Sequence, residues 1–206
     1  MFIYKPAVNL EWKRGCVMDF GTEFGKKLGD RKEYVALATV KAELYYEANL
    51  SIIKYLVNTA NIPGVYVSLN KPYEAIKGEF EIRKIKKDMV IFIDAITKTS
   101  GGAGERTSDC LFIGNPENLS DISLAMDQAV IAVPSNEKFV FIDSQNTLLM
   151  YNSAVTVAKF IHFLSVKMRI WKVRGIIVSL EKESNKDLIN ELSQFCDIRM
   201  ELGVEK

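Results

Sequence analysis

Apolar positions in this chain follow two rhythms. Short, nearly unbroken runs occur at residues 34–40 (YVALATV), 64–69 (GVYVSL), 89–94 (MVIFID), 139–143 (FVFID) and 175–180 (GIIVSL). Runs of this kind, rather than strict alternation, predict strands covered on both faces. Between them the spacing turns helical. Residues 43–60 place Leu44, Ala48, Ile52, Tyr55 and Leu56 close to one face. Residues 120–131 place Ile122, Leu124, Ala125 and Ala129 together, after a cap at Ser120. Residues 184–196 do the same with Leu188, Ile189, Leu192 and Phe195, and Ser184 and Asp187 have the spacing of an N-terminal cap. Strands alternating with helices predict βαβ units, hence an α/β fold with a mainly parallel central sheet and helices on both sides. Residues 34–206 read as one such domain. Residues 1–33 do not fit the alternation and are expected as an N-terminal edge segment packed on the core, either an edge hairpin or a short cap on the sheet.

Residues 153–172 form the longest helical pattern, and it is apolar twice over. Val157, Phe160, Ile161, Leu164, Met168 and Trp171 share one face. Phe163, Val166 and Ile170 fall on the opposite side, spaced i, i+3 and i+7. A helix apolar on both sides is either buried on both sides or meets a partner. The second stripe therefore reads as an interface with a protein partner or another copy of the chain, or as a surface covered by the first 30 residues.

Composition narrows the function classes. With 27 basic and 26 acidic residues the net charge is +1, without the basic excess of a nucleic-acid binder. The single histidine, His162, excludes a multi-histidine metal site within one chain. Cys16, Cys110 and Cys196 are scattered and form no C-x-x-C pair, which suits a reduced cytoplasmic protein. The longest apolar runs are far below the roughly 20 residues that span a bilayer. The opening residues lack the apolar stretch of a signal peptide.

Three segments carry a family resemblance: residues 64–74 (GVYVSLNKPYE), residues 139–149 (FVFIDSQNTLL) and residues 152–181. In order and character they resemble the second core strand, the Walker B strand, and the helix and strand that follow it in RecA/KaiC-like ATPases, especially the archaeal KaiC-related group. The likeness covers roughly residues 34–203 and implies a RecA-like three-layer fold. It identifies Asp143 with the Walker B aspartate. In that family the first strand runs into G-x-x-x-x-G-K-[ST], where glycines let backbone amides wrap a phosphate. Here VKAELYYEANLSII follows, and no glycine occurs between Gly29 and Gly64. Lys41 follows the strand directly, with no Ser or Thr after it to hold magnesium, and Tyr45 and Tyr46 stand at the expected helix start. The family's acidic residue after the second strand is replaced by Asn70 and Lys71, neither of which can act as a base at neutral pH; Glu74 lies four residues on.

These departures favour a degenerate domain without ATP hydrolysis, regulatory or scaffolding in role and acting through protein contacts. No cofactor is expected. The alternative is an active or nucleotide-binding ATPase with an atypical phosphate site, taking ATP and magnesium through Lys41, Asp143 and a base other than Asn70 or Lys71, on a candidate nucleotide or metal edge of Lys41, Asp94, Asp143 and Ser144. Another is an enzyme of different chemistry acting at an acidic edge shared by Asp94 and Asp143, since parallel strand ends gather on one edge. Each residue also has a plainer reading. Asp94 and Asp143 can cap backbone turns, Lys41 can be a solvated strand-end lysine, and His162 can be packed on a helix side. The Gly101-Gly102-Ala103-Gly104 run, closed by Arg106, can cradle a phosphate or form an ordinary loop. Residues 82–87 (IRKIKK) form a local basic patch or a solvated segment leading into a strand.

Overall fold

The computed structural model describes residues 19–105, 107–181 and 186–203. Seven strands form one sheet: β1 (Tyr34–Val40), β2 (Gly64–Ser68), β3 (Val90–Asp94), β4 (Cys110–Phe112), β5 (Phe139–Asp143), β6 (Arg174–Leu180) and β7 (Ile198–Leu202). Their order is β4-β3-β2-β5-β6-β1-β7, and every neighbouring pair is parallel. The helices are α1 (Phe20–Leu28), α2 (Tyr45–Lys54), α3 (Tyr73–Ile82), α4 (Leu119–Ala132), α5 (Gln145–Leu148), α6 (Ala154–Ile170) and α7 (Lys186–Ser193).

The unbroken apolar runs become inner strands because both of their faces are covered. In β1, Ala36, Ala38 and Val40 lie on the sheet face covered by α1, α2 and α3. Val35 and Leu37 of the same strand lie on the face covered by α4, α6 and α7. All seven β1 residues are buried. This is a three-layer α/β fold.

Of the two forms expected before β1, the described residues take the cap: residues 20–28 are a helix, not an edge hairpin. Asp19 caps it by accepting from the amides of Gly21 and Thr22, both at 3.1 Å. The helix lies on α2 and β7. It crosses α2 so closely that a Cβ at Gly21 would sit 2.6 Å from the Ser51 carbonyl oxygen. Residues 1–18 lie outside the described residues, as do Ser184 and Arg106.

Other boundaries move for local reasons. The expected helix over 43–60 starts at Tyr45 and ends in a π-turn over Tyr55–Thr59. The α4 cap is Asn118, whose side chain accepts from the Asp121 amide, and not Ser120. Two strands and one helix carry no long apolar run. Strand β4 has only three residues, and α3 enters through Pro72. Strand β7 lies on the sheet margin and alternates buried Met200 and Leu202 with outward Arg199 and Glu201.

The connections have a consistent geometry. Helices α2 and α3 cross one face and carry the chain toward β4. Helices α4, α6 and α7 cross the other face and carry it toward β7. The two directions diverge between β2 and β5. In open α/β sheets that divergence opens a crevice at the carboxyl ends of the strands.

Candidate functional site

Ser68 ends β2 at this crevice, in register with Asp94 on one side and Asp143 on the other. The two aspartates thus share a face but stand two strands apart, about 10 Å by strand spacing. Each is engaged separately.

Asp94 is fully buried and accepts four hydrogen bonds. The amides of Ile96 (2.7 Å) and Thr97 (2.8 Å) bond to Oδ1. The Tyr73 amide (2.7 Å) and the Thr97 hydroxyl (2.5 Å) bond to Oδ2. Its carboxylate fastens the first turn of α3 and the turn after β3.

Asp143 points toward α2. Asn49 Nδ2 donates to its Oδ1 at 2.9 Å, and the Tyr66 hydroxyl donates to its Oδ2. Both donors are buried, and the aromatic rings of Phe80, Phe92 and Phe141 enclose Tyr66. Burial away from water pushes the Asp143 carboxyl up to about 8, despite the two donors that favour its charged form. Burial also pushes the Tyr66 hydroxyl well above its ordinary value. Asn49 Oδ1 has no hydrogen-bond partner. The Asp143–Ser144 peptide is cis. Ser144 is buried, and its carbonyl accepts from Thr147 at 3.1 Å. On the opposite face, Gln145 Nε2 donates to Ser179 Oγ at 2.9 Å, and Asn146 Oδ1 accepts from the Leu180 amide at 2.6 Å.

The rim over Asp143 is built from residues that the sequence singles out. The link from β1 to α2 is only Lys41, Ala42, Glu43 and Leu44. Asn70 Nδ2 donates to the Tyr45 hydroxyl at 2.8 Å. The Lys71 ammonium lies 3.3 Å from the centre of the Tyr46 ring, a cation–π contact. Arg83 makes two bonds to Glu47, at 2.7 and 2.5 Å, and faces Glu79 at 3.6 Å. Burial, then a hydrogen bond with Glu79, holds the Tyr46 hydroxyl well above its usual range, and burial lowers Lys71. The start of α2 is therefore stitched to the turn between β2 and α3, across the mouth of the crevice.

The remaining sequence candidates lie elsewhere. Lys41 is exposed beside α2, whose cap residue Leu44 has no side-chain bond. The Gly101–Gly104 run follows β3, where the Gly102 amide donates to the Thr97 carbonyl at 2.9 Å. His162 is exposed and stacked on Phe195, centroid to centroid 4.5 Å. In the basic run, Arg83 is paired as above and Lys87 is paired to Glu81 at 2.8 Å. Phe163, Val166 and Ile170 are exposed on α6. Sequence reasoning missed Asn49 and Tyr66. The available signal was a lone amide inside an apolar helical stretch and a hydroxyl on the inward side of a buried strand, since both demand a buried partner.

Among the described residues no three His, Cys, Asp or Glu side chains gather into a metal-binding group, and no helix is long and apolar enough to cross a membrane. The two described cysteines are free.

The architecture is that of RecA/KaiC-like domains. A KaiC-like protein from the hyperthermophilic archaeon Pyrococcus horikoshii superposes with a TM-score of 0.60 at 12% identity, over 86% of this chain and 76% of that one. An uncharacterized P. horikoshii protein, crystallised with an unknown peptide, gives 0.64 at 11% identity, over 90% and 84%. A third P. horikoshii protein gives 0.59 at 15% identity, over 88% and 87%. No protein-family model matches the sequence, and no curated protein matches it.

Proposed function

We propose that this chain is a degenerate RecA/KaiC-like domain that neither hydrolyses ATP nor needs a cofactor, and that it works in the cytoplasm as a regulatory or scaffolding protein. The observation that carries this reading is the environment of Asp143. Each of its carboxylate oxygens accepts a bond from the chain itself, from Asn49 or Tyr66. A magnesium ion needs those oxygens charged and accessible. A buried carboxyl whose pKa is pushed to about 8 supplies neither at neutral pH.

The residues around it support the same reading. Lys41 to Leu44 contain no glycine, so few backbone amides can curl around a phosphate. Tyr45 and Tyr46 are tied down over the crevice by Asn70 and Lys71. A magnesium–triphosphate does not fit these residues. Action through protein contacts is supported by the exposed apolar stripe on α6, and by the peptide held by one protein of the same fold.

The test is titration with ATP and magnesium, followed by thermal melting and phosphate release. The expected result is no rise in melting temperature and no phosphate above the buffer control. A rise of several degrees that disappears in Asp143→Ala would overturn the proposal.

A further inference from the structure

The contact surface in the reading above can be given a definite occupant. We infer that the face formed by α4 and α6 is where two copies of this chain meet, about a two-fold axis parallel to the two helices.

The helices are neighbours that run the same way, since each returns from the carboxyl end of one parallel strand to the amino end of the next. A groove of about 460 Å³ lies between them. Leu124 of α4 and Phe163 of α6 both line it, so they stand at one level. Lys167 fixes that level from below, reaching across to Asp127 at 2.5 Å and Ser123 at 3.0 Å. Seven residues on, two helical turns, stand Ile131 and Ile170. All four are large apolar side chains in water: Leu124 is 57% exposed, Ile131 80%, Phe163 49% and Ile170 73%. With Val155 and Val166 they expose on the order of 700 Å² per chain, close to the ~800 Å² per partner of a stable interface. Monomers rarely leave large apolar patches open to water.

Charge selects the partner. Helix α4 carries Asp121 and Asp127 and no cation, whereas α6 carries Lys159, Lys167 and Arg169 and no anion. Lys167 is spent on Asp127, and Arg169 on Asp197 at 2.9 Å. That leaves Lys159 on the groove wall with no ion pair among the described residues, and Asp121 exposed with only the Asn118 amide group beside it at 2.8 Å. An acidic helix beside a basic one, with apolar residues at matching heights, is complementary to itself under a two-fold rotation. The rotation lays α4 on the second copy's α6. Leu124 then meets the partner's Phe163, Ile131 meets the partner's Ile170, and Asp121 meets the partner's Lys159. Laying α6 on α6 instead would set cations against cations.

The test is light scattering on the purified full chain over a concentration series. The expected mass is twice 23.3 kDa at high concentration. Lys159→Glu and Asp121→Lys should each weaken the dimer at least tenfold, and the two together should restore it. Phe163→Asp should remain monomeric throughout, with the melting curve confirming a folded chain. A wild-type monomer at every concentration overturns the inference and assigns the face to a different protein or to another part of this chain. A dimer that survives Phe163→Asp, or a charge-swapped pair no better than its single variants, overturns it as well. Because none of these measurements involves nucleotide, failure here leaves the reading of the Asp143 site standing, and the reverse also holds.

Discussion

Asn49 Nδ2 stands 2.9 Å from Asp143 Oδ1, so a helix amide from α2 occupies the carboxylate at the end of β5. With Tyr66 on the other oxygen, the group is held entirely by its own chain. Asp143 and both donors are buried, so removing either donor strands a carboxyl oxygen of Asp143 away from water. Asn49→Leu and Tyr66→Phe should each cost about 1–3 kcal/mol in urea unfolding. A double-mutant cycle of Asn49→Leu with Asp143→Leu should show coupling of about 0.5–3 kcal/mol. Additive effects would show that the contact contributes nothing.

Stability should also depend on pH through Asp143. An unfolded aspartate releases its proton near its ordinary value of about 3.9. The folded group holds its proton up to about 8. Between those values the native state binds more protons than the unfolded one. The contribution of this group is therefore complete below pH ~4 and is lost as the pH rises toward 8, at up to about 1.4 kcal/mol per pH unit. Urea unfolding at pH 5 and pH 8 should show that fall, and Asp143→Asn should flatten it. Equal slopes for the two proteins would count against the shifted carboxyl.

Asp94 is predicted to matter for folding rather than for chemistry. Asp94→Ala would leave two backbone turns without the acceptor for three amides and one hydroxyl. The expected loss is about 3 kcal/mol or more, since each stranded donor costs roughly 1–3 kcal/mol. A variant within about 0.5 kcal/mol of wild type by chemical denaturation would contradict this role.

Gly21 is required by the closeness of α1 and α2. An added Cβ would press on the Ser51 carbonyl at 2.6 Å and on Tyr55 Cβ at 2.8 Å. Gly21→Ala should therefore destabilise by about 1–3 kcal/mol even though alanine favours helix. Gly78→Ala in α3, with open space around it, should be neutral or stabilising in the same melting assay.

The inner sheet was legible in the sequence because doubly covered strands need unbroken apolar runs, as in YVALATV and FVFID. The margins were not. Strand β7 buries only one side of each pair of residues, and β4 is too short to show a pattern. The resemblance placed Asp143 at a strand end in the right architecture. It also brought Tyr45, Tyr46, Asn70 and Lys71 forward as departures, although nothing in their spacing revealed that they touch. Asn49 and Tyr66 were silent for the same reason. Their partner lies 94 and 77 residues away along the chain, and local periodicity carries no information over that distance.

The outer strand β7 limits the ways copies of this chain can join. Its outward Arg199 and Glu201 are paired side chain to side chain at 3.4 Å, and Arg199 also reaches Asn190 of α7 at 2.9 Å. Strand-to-strand addition at this border would have to displace that charged fringe. At the opposite border, three residues of β4 offer too short a template for such growth. Open-ended ribbon assembly is thereby discouraged at both borders, which suits the closed pairing through helices proposed above.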